Sequence, residues 1–66
     1  MLSARNRFEG TIKSVTLGQV MAEVVIEFAG LEVVSLISKV SAERMNLKEG
    51  DEAVAVIKAT EVMVEK

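Results

Sequence analysis

The clearest periodic signal in the chain runs from Val20 to Phe28. Val20, Ala22, Val24, Ile26 and Phe28 are apolar at every second position, and Met21, Glu23, Val25 and Glu27 between them make a mainly polar face. A period of two with one polar face predicts a half-buried strand. Before it, Phe8 to Leu17 is rich in Thr, Ile and Val and predicts another strand. The short turn Leu17-Gly18-Gln19 joins the two as a hairpin. Ala29-Gly30 breaks the pattern, and Leu31 to Ser38 predicts a third strand. Ser41 is the expected N-cap of a single helical turn, Ala42 to Met45 or Asn46. Lys48-Glu49-Gly50-Asp51 reads as a turn. Glu52 to Lys58 alternates again, with Ala53, Ala55 and Ile57 opposite Val54 and Val56. A last short strand is expected over Val62 to Val64.

Five short strands, with one helical turn before the fourth, predict an all-β fold: a small five-stranded OB-like Greek-key barrel. The strand count and order come from the pattern, and barrel closure is an inference from them. With 66 residues the chain is one domain at most. A domain of this size buries only about 60% of the surface its unfolded chain exposes, and such domains lean on disulfides, metals or self-association. The sequence has no Cys and no His, which removes disulfides, structural zinc and haem ligation together. Half of the residues are apolar, more than one small core can hide. A homo-oligomer is therefore expected, with part of the apolar surface facing another subunit.

Charge and composition exclude several classes. The formal net charge of -2 lacks the basic surplus of a general polyanion binder. A single-strand-binding OB domain stacks bases on aromatic rings in a basic groove. Here only Phe8 and Phe28 are aromatic, and Phe28 falls on the apolar stripe. No nucleic-acid partner is expected. The segment from Met1 to Gly10 has no apolar run that would make it a secretory signal, and no stretch approaches the roughly 18 to 20 apolar residues of a membrane span. A cytoplasmic protein without a membrane partner is the expectation. Without His or Cys, Ser-His and Cys-His triads are impossible. Glu43, Glu49, Asp51 and Glu52 lack calcium-loop spacing and read as a solvated loop. No glycine loop of the phosphate-cradling kind is present. No enzymatic activity is expected.

Three donor-rich places remain. Ser3-Ala4-Arg5-Asn6-Arg7 carries two guanidinium groups, a hydroxyl and an amide, with no acid before Glu9. Lys58-Ala59-Thr60 puts an ammonium and a hydroxyl two residues apart, hence on one side of an extended chain. Ser38 and Ser41 add hydroxyls at the entry to the helical turn, where backbone N–H groups and the helix dipole favour an anion. A tetrahedral dianion suits such a set. Arg offers two parallel charge-assisted bonds, Lys a compact charge, and hydroxyls and N–H groups complete the shell. A shell made only of donors favours an oxyanion that carries no proton. Phosphate near neutral pH often keeps one and wants an acceptor beside it. Molybdate and tungstate are fully deprotonated there, and they are larger than sulfate.

At these residues the sequence resembles the molbindin (Mop/TOBE) family. The family's opening Ser-Ala-Arg-Asn, followed by an apolar or aromatic residue and Gly, is matched by Ser3 to Asn6, Phe8 and Gly10. Ala22-Glu23-Val24 is similar to the family's second strand. The Leu-x-x-Gly-Asp/Glu turn is matched by Leu47 to Asp51. The closing Lys-Ala/Ser-Thr/Ser and Val-Met-Val are matched by Lys58 to Thr60 and Val62 to Val64. The resemblance spans almost the whole chain, and four motifs in order and spacing make it specific.

The resemblance implies that residues 1–66 form a single Mop (TOBE-like) domain with an OB-like barrel. It implies a cytoplasmic molybdate- or tungstate-binding protein that holds the oxyanion as a ligand and uses no catalytic cofactor. A bare copy of the domain fits storage or homeostasis. The implied assembly is a hexamer, a trimer of dimers, with oxyanions between subunits. Ser3, Arg5 and Lys58 are then expected to contact the anion from one subunit, helped by the Ala59 backbone and by Thr60, with Asn6 ordering the loop. Ser38 and Ser41 are expected from the partner subunit. Many relatives carry Thr where Ser38 stands, which keeps the hydroxyl. Two other readings stay open: binding of molybdenum as its pterin cofactor, and an OB-type module for nucleic acid or protein.

Overall fold

A computed structural model describes residues 4–66. Ser3, the first of the expected anion contacts, lies outside the described residues. The chain forms β1 (Asn6–Leu17), β2 (Met21–Phe28), β3 (Leu31–Ser38), a short helix α1 (Lys39–Arg44) and β4 (Glu52–Ile57), followed by a 3₁₀ turn at Ala59–Glu61. One four-stranded sheet runs in the order β3-β2-β1-β4, with every neighbouring pair antiparallel. Three hairpin-connected strands with a fourth returning beside the first is the Greek-key arrangement that the strand order predicted.

The stripe of β2 packs inward as its period requires. Ala22, Val24 and Ile26 are buried, and Ile12 of β1, only 1% exposed, is the largest fully buried side chain. Ile12, Val24, Ile26 and Ala55 form the core, with Phe8, Val15, Val33 and Leu47 packed on it. Burying an Ile of this kind contributes roughly 1.5 to 3 kcal/mol. Val25 departs from the expected polar face and is also buried. It sits in an interior strand, flanked by Ser14 of β1 and Val34 of β3, so its neighbours shield it.

Local geometry explains the strand joints. Ala29 and Gly30 both have positive φ, 48° and 78°, as a two-residue type I′ hairpin requires. β1 meets β2 so closely at Gly10 that an added Cβ would lie 2.3 Å from the Glu27 carbonyl oxygen. Beside it the Phe8 and Phe28 rings stack, with centroids 4.7 Å apart. The β1–β2 register shifts between Ile12 and Ser14, leaving Lys13 as the extra residue of a bulge. Lys13 reaches across β2 to pair with Glu32 of β3. That hydrogen bond and charge raise the Lys13 pKa above its ordinary value.

Two expectations fail. The helix starts at Lys39, and its N-cap is Ser38 rather than Ser41. Ser38 ends β3 with extended angles (φ −67°, ψ 147°), the conformation a cap needs, and its Oγ accepts from the Ser41 N–H at 3.0 Å. Ser41 is already helical. At the other end Asn46 (φ 51°) closes the helix in the left-handed region. The Asn46 N–H donates to the Glu43 carbonyl and the Leu47 N–H to the Ala42 carbonyl, the paired bonds of a Schellman motif.

The second failure is the fifth strand. The described residues contain four strands, and Val62 to Val64 pair with none of them. The 3₁₀ turn at Ala59–Glu61 carries the chain off the end of β4. Val62 to Val64 are left exposed, Met63 and Val64 at 93% and 94%. Alternating apolar residues report that a segment will be covered, and they do not say by which chain. The sheet curls, but β3 and β4 at its two ends share no ladder. Between their edges lie two adjoining cavities of about 450 and 620 Å³. Ile26, Ser35, Val54 and Val56 line both of them.

Candidate functional site

The register of β1 against β4 builds the first half of the site. Asn6 pairs with Ile57 and Arg7 with Val56, so the residues flanking that pair, Arg5 and Lys58, emerge together at one end of the sheet. Ala4, Lys58, Ala59 and Thr60 line a depression of about 300 Å³ at this end. Lys58 is the extended residue before the 3₁₀ turn (φ −66°, ψ 138°), and its side chain makes no capping bond. The Glu61 and Val62 N–H groups close the turn onto the Lys58 and Ala59 carbonyls. The Ala59 and Thr60 N–H groups come before them, where a helical turn has no internal acceptors. Arg5, Lys58, Ala59 and Thr60 are exposed, while Ala4 and Asn6 are half-buried.

The lining therefore offers an ammonium, a hydroxyl and backbone donors. Ala4 was missed by reasoning from donors because it brings none. Its small side chain leaves room beside Lys58, and the Ser-Ala-Arg-Asn run was the one signal that pointed to it. A different depression, of about 560 Å³, is lined by Glu9, Gly10, Thr11 and Glu52. Its two carboxylates have the wrong sign for an anion.

Ser38 and Ser41 form the other donor group, where β3 ends and α1 begins. Ser38 pairs with Met21, near the end of β1 where Leu17 meets Ala22. Asn6 and Ile57 lie at the opposite end of β1. The depression at Ala4, Lys58, Ala59 and Thr60 is not lined by Ser38 or Ser41, although Lys58 shares the β3–β4 cleft with Ser35 and Leu36.

The serines are ordered with respect to each other. The Ser38 hydroxyl donates to Ser41 Oγ at 2.8 Å while accepting the Ser41 N–H. Ser38 is thereby committed inside the chain, and the Ser41 hydroxyl keeps its own proton for an outside acceptor. The expected free N–H groups at this helix start are mostly used. Lys39 N–H donates to the Val20 carbonyl at 2.7 Å and Ser41 N–H to Ser38, which leaves Val40. Among the described residues no group of three or more carboxylates could hold a metal ion.

The TOBE domain profile matches residues 2–64. The chain belongs to the TOBE-domain family. One relative of this TOBE protein, molybdenum-pterin-binding protein 3 of Clostridium pasteurianum, is 50% identical over 64 residues, covering 96% of this chain and 94% of the relative. Among solved structures, a molybdate-binding protein from Sporomusa ovata superposes with a TM-score of 0.95 at 39% identity, covering all of this chain and 98% of that one. The cytoplasmic molybdate-binding protein ModG, solved with molybdate bound, gives 0.84 at 43% identity over 89% of this chain and 43% of its own. These relatives are described as binding proteins. No helix among the described residues is long and apolar enough to cross a membrane.

Proposed function

We propose that this TOBE protein binds molybdate, and tungstate as its close analogue, as free oxyanions for storage or homeostasis. The observation that carries the reading is the depression at Ala4, Lys58, Ala59 and Thr60, which holds an ammonium, a hydroxyl and backbone N–H groups and has no carboxylate in its lining, on a fold shared with proteins described as molybdate-binding. Arg5 and Lys58 supply charge, Thr60 a hydroxyl and Ala59 its N–H. Ser3 belongs to the same segment as Arg5 and joins them, and Asn6 holds the segment against β4. No catalytic step is assigned to any residue. The function is cytoplasmic, as it is described for ModG.

The anion site is completed between copies of the chain. A second copy brings the Ser41 hydroxyl, oriented by Ser38, to the anion held at Lys58. Self-association is supported by the open β3 and β4 edges, the apolar cleft between them and the exposed Val62 to Val64. An unpaired apolar strand edge left in water invites pairing with another chain. The assembly proposed is a hexamer built as a trimer of dimers, with residues 1–66 of each chain as one domain.

Native mass spectrometry with and without molybdate tests both parts at once. Discrete anion-loaded hexamers support the reading. A monomer that takes up molybdate refutes the shared site, and an assembly that takes up none refutes the function.

A second reading has one observation behind it, the description of the Clostridium relative as molybdenum-pterin-binding. A pterin ring wants an aromatic face. Phe8 and Phe28 stack on each other and are half-buried, which disfavours a second stacked ring. The nucleic-acid reading fares no better, with a net charge of -2 and the same two rings.

A further inference from the structure

We draw no further inference here: the strongest candidate, the apolar cleft between the unpaired edges of β3 and β4 beside the exposed Val62–Val64 segment, belongs to the self-assembly surface already proposed, and nothing among the described residues points to a different occupant.

Discussion

Asn6 and Ile57 face each other across the β1–β4 ladder, and that pairing sets the residues flanking it, Arg5 and Lys58, at one end of the sheet. Arg5 and Lys58 follow from it as neighbours. Neither is buried, so replacing them should leave the fold intact. Arg5→Ala and Lys58→Ala should each weaken molybdate binding by about 10- to 150-fold, the equivalent of about 1.5 to 3 kcal/mol for a bond to a charged group. Calorimetric titration of each variant reads this directly. Unchanged affinity in both would remove the site from this end of the sheet.

Ser38 and Ser41 should separate by stability. Ser38→Ala removes the helix cap and should cost about 0.5 to 2 kcal/mol. Ser41→Ala keeps the cap, because its backbone N–H still reaches Ser38 Oγ. It should lower molybdate affinity while barely moving the urea midpoint. Circular dichroism follows unfolding, since the chain has no Trp or Tyr for fluorescence. Equal loss of stability in the two variants would contradict the assigned cap.

Gly10 is fixed by close approach rather than by turn geometry. A Cβ there meets backbone, the Glu27 carbonyl, which cannot step aside as a side chain can. Gly10→Ala should destabilise by about 1 to 3 kcal/mol or more, as overpacking does, and should disturb the Phe8–Phe28 stack. A melting temperature equal to the parent's would show that the strands part there at little cost.

The Ala29-Gly30 hairpin carries a correctable strain. Ala29 adopts φ 48° with a Cβ, and left-handed backbone costs such residues roughly 1 to 2 kcal/mol. Ala29→Asn or Ala29→Gly should raise stability by about 0.5 to 1 kcal/mol, since type I′ turns favour these residues. Asn46 already uses this chemistry at the helix end, and Asn46→Val should be the costly change there. Denaturant midpoints for the three variants give the comparison.

Most of the fold was legible because the apolar period reported it. β3 was read at its observed bounds, and β1, β2 and β4 to within two residues. β1 starts earlier because Asn6 gains a partner in Ile57, a long-range fact that no local pattern carries. The cap was misplaced because two serines stand three residues apart and either could cap. Backbone angles decide between them, and those follow from where β3 ends. The fifth strand was misread for a deeper reason. Val62 to Val64 have the composition of a covered strand, and the described chain provides nothing to cover them. The pairing that sets Arg5 beside Lys58 was not readable, because it depends on the β1–β4 register.

Assembly should depend on the apolar surfaces left open. Val64→Asp places a charge on the exposed segment, and Val56→Lys places one in the β3–β4 cleft. Both should shift sedimentation toward smaller species, and both should weaken molybdate binding if the site is shared between chains. A variant that becomes monomeric yet binds molybdate with parental affinity would place the whole site within one chain.

The central claim is selective oxyanion binding by a shell made of donors. Its most direct test is calorimetric titration of the assembled protein with molybdate, tungstate, sulfate and phosphate in one buffer at neutral pH. Tight, saturable heats for molybdate and tungstate, with sulfate and phosphate much weaker, are the predicted result. Equal binding of all four anions, or of none, would contradict it.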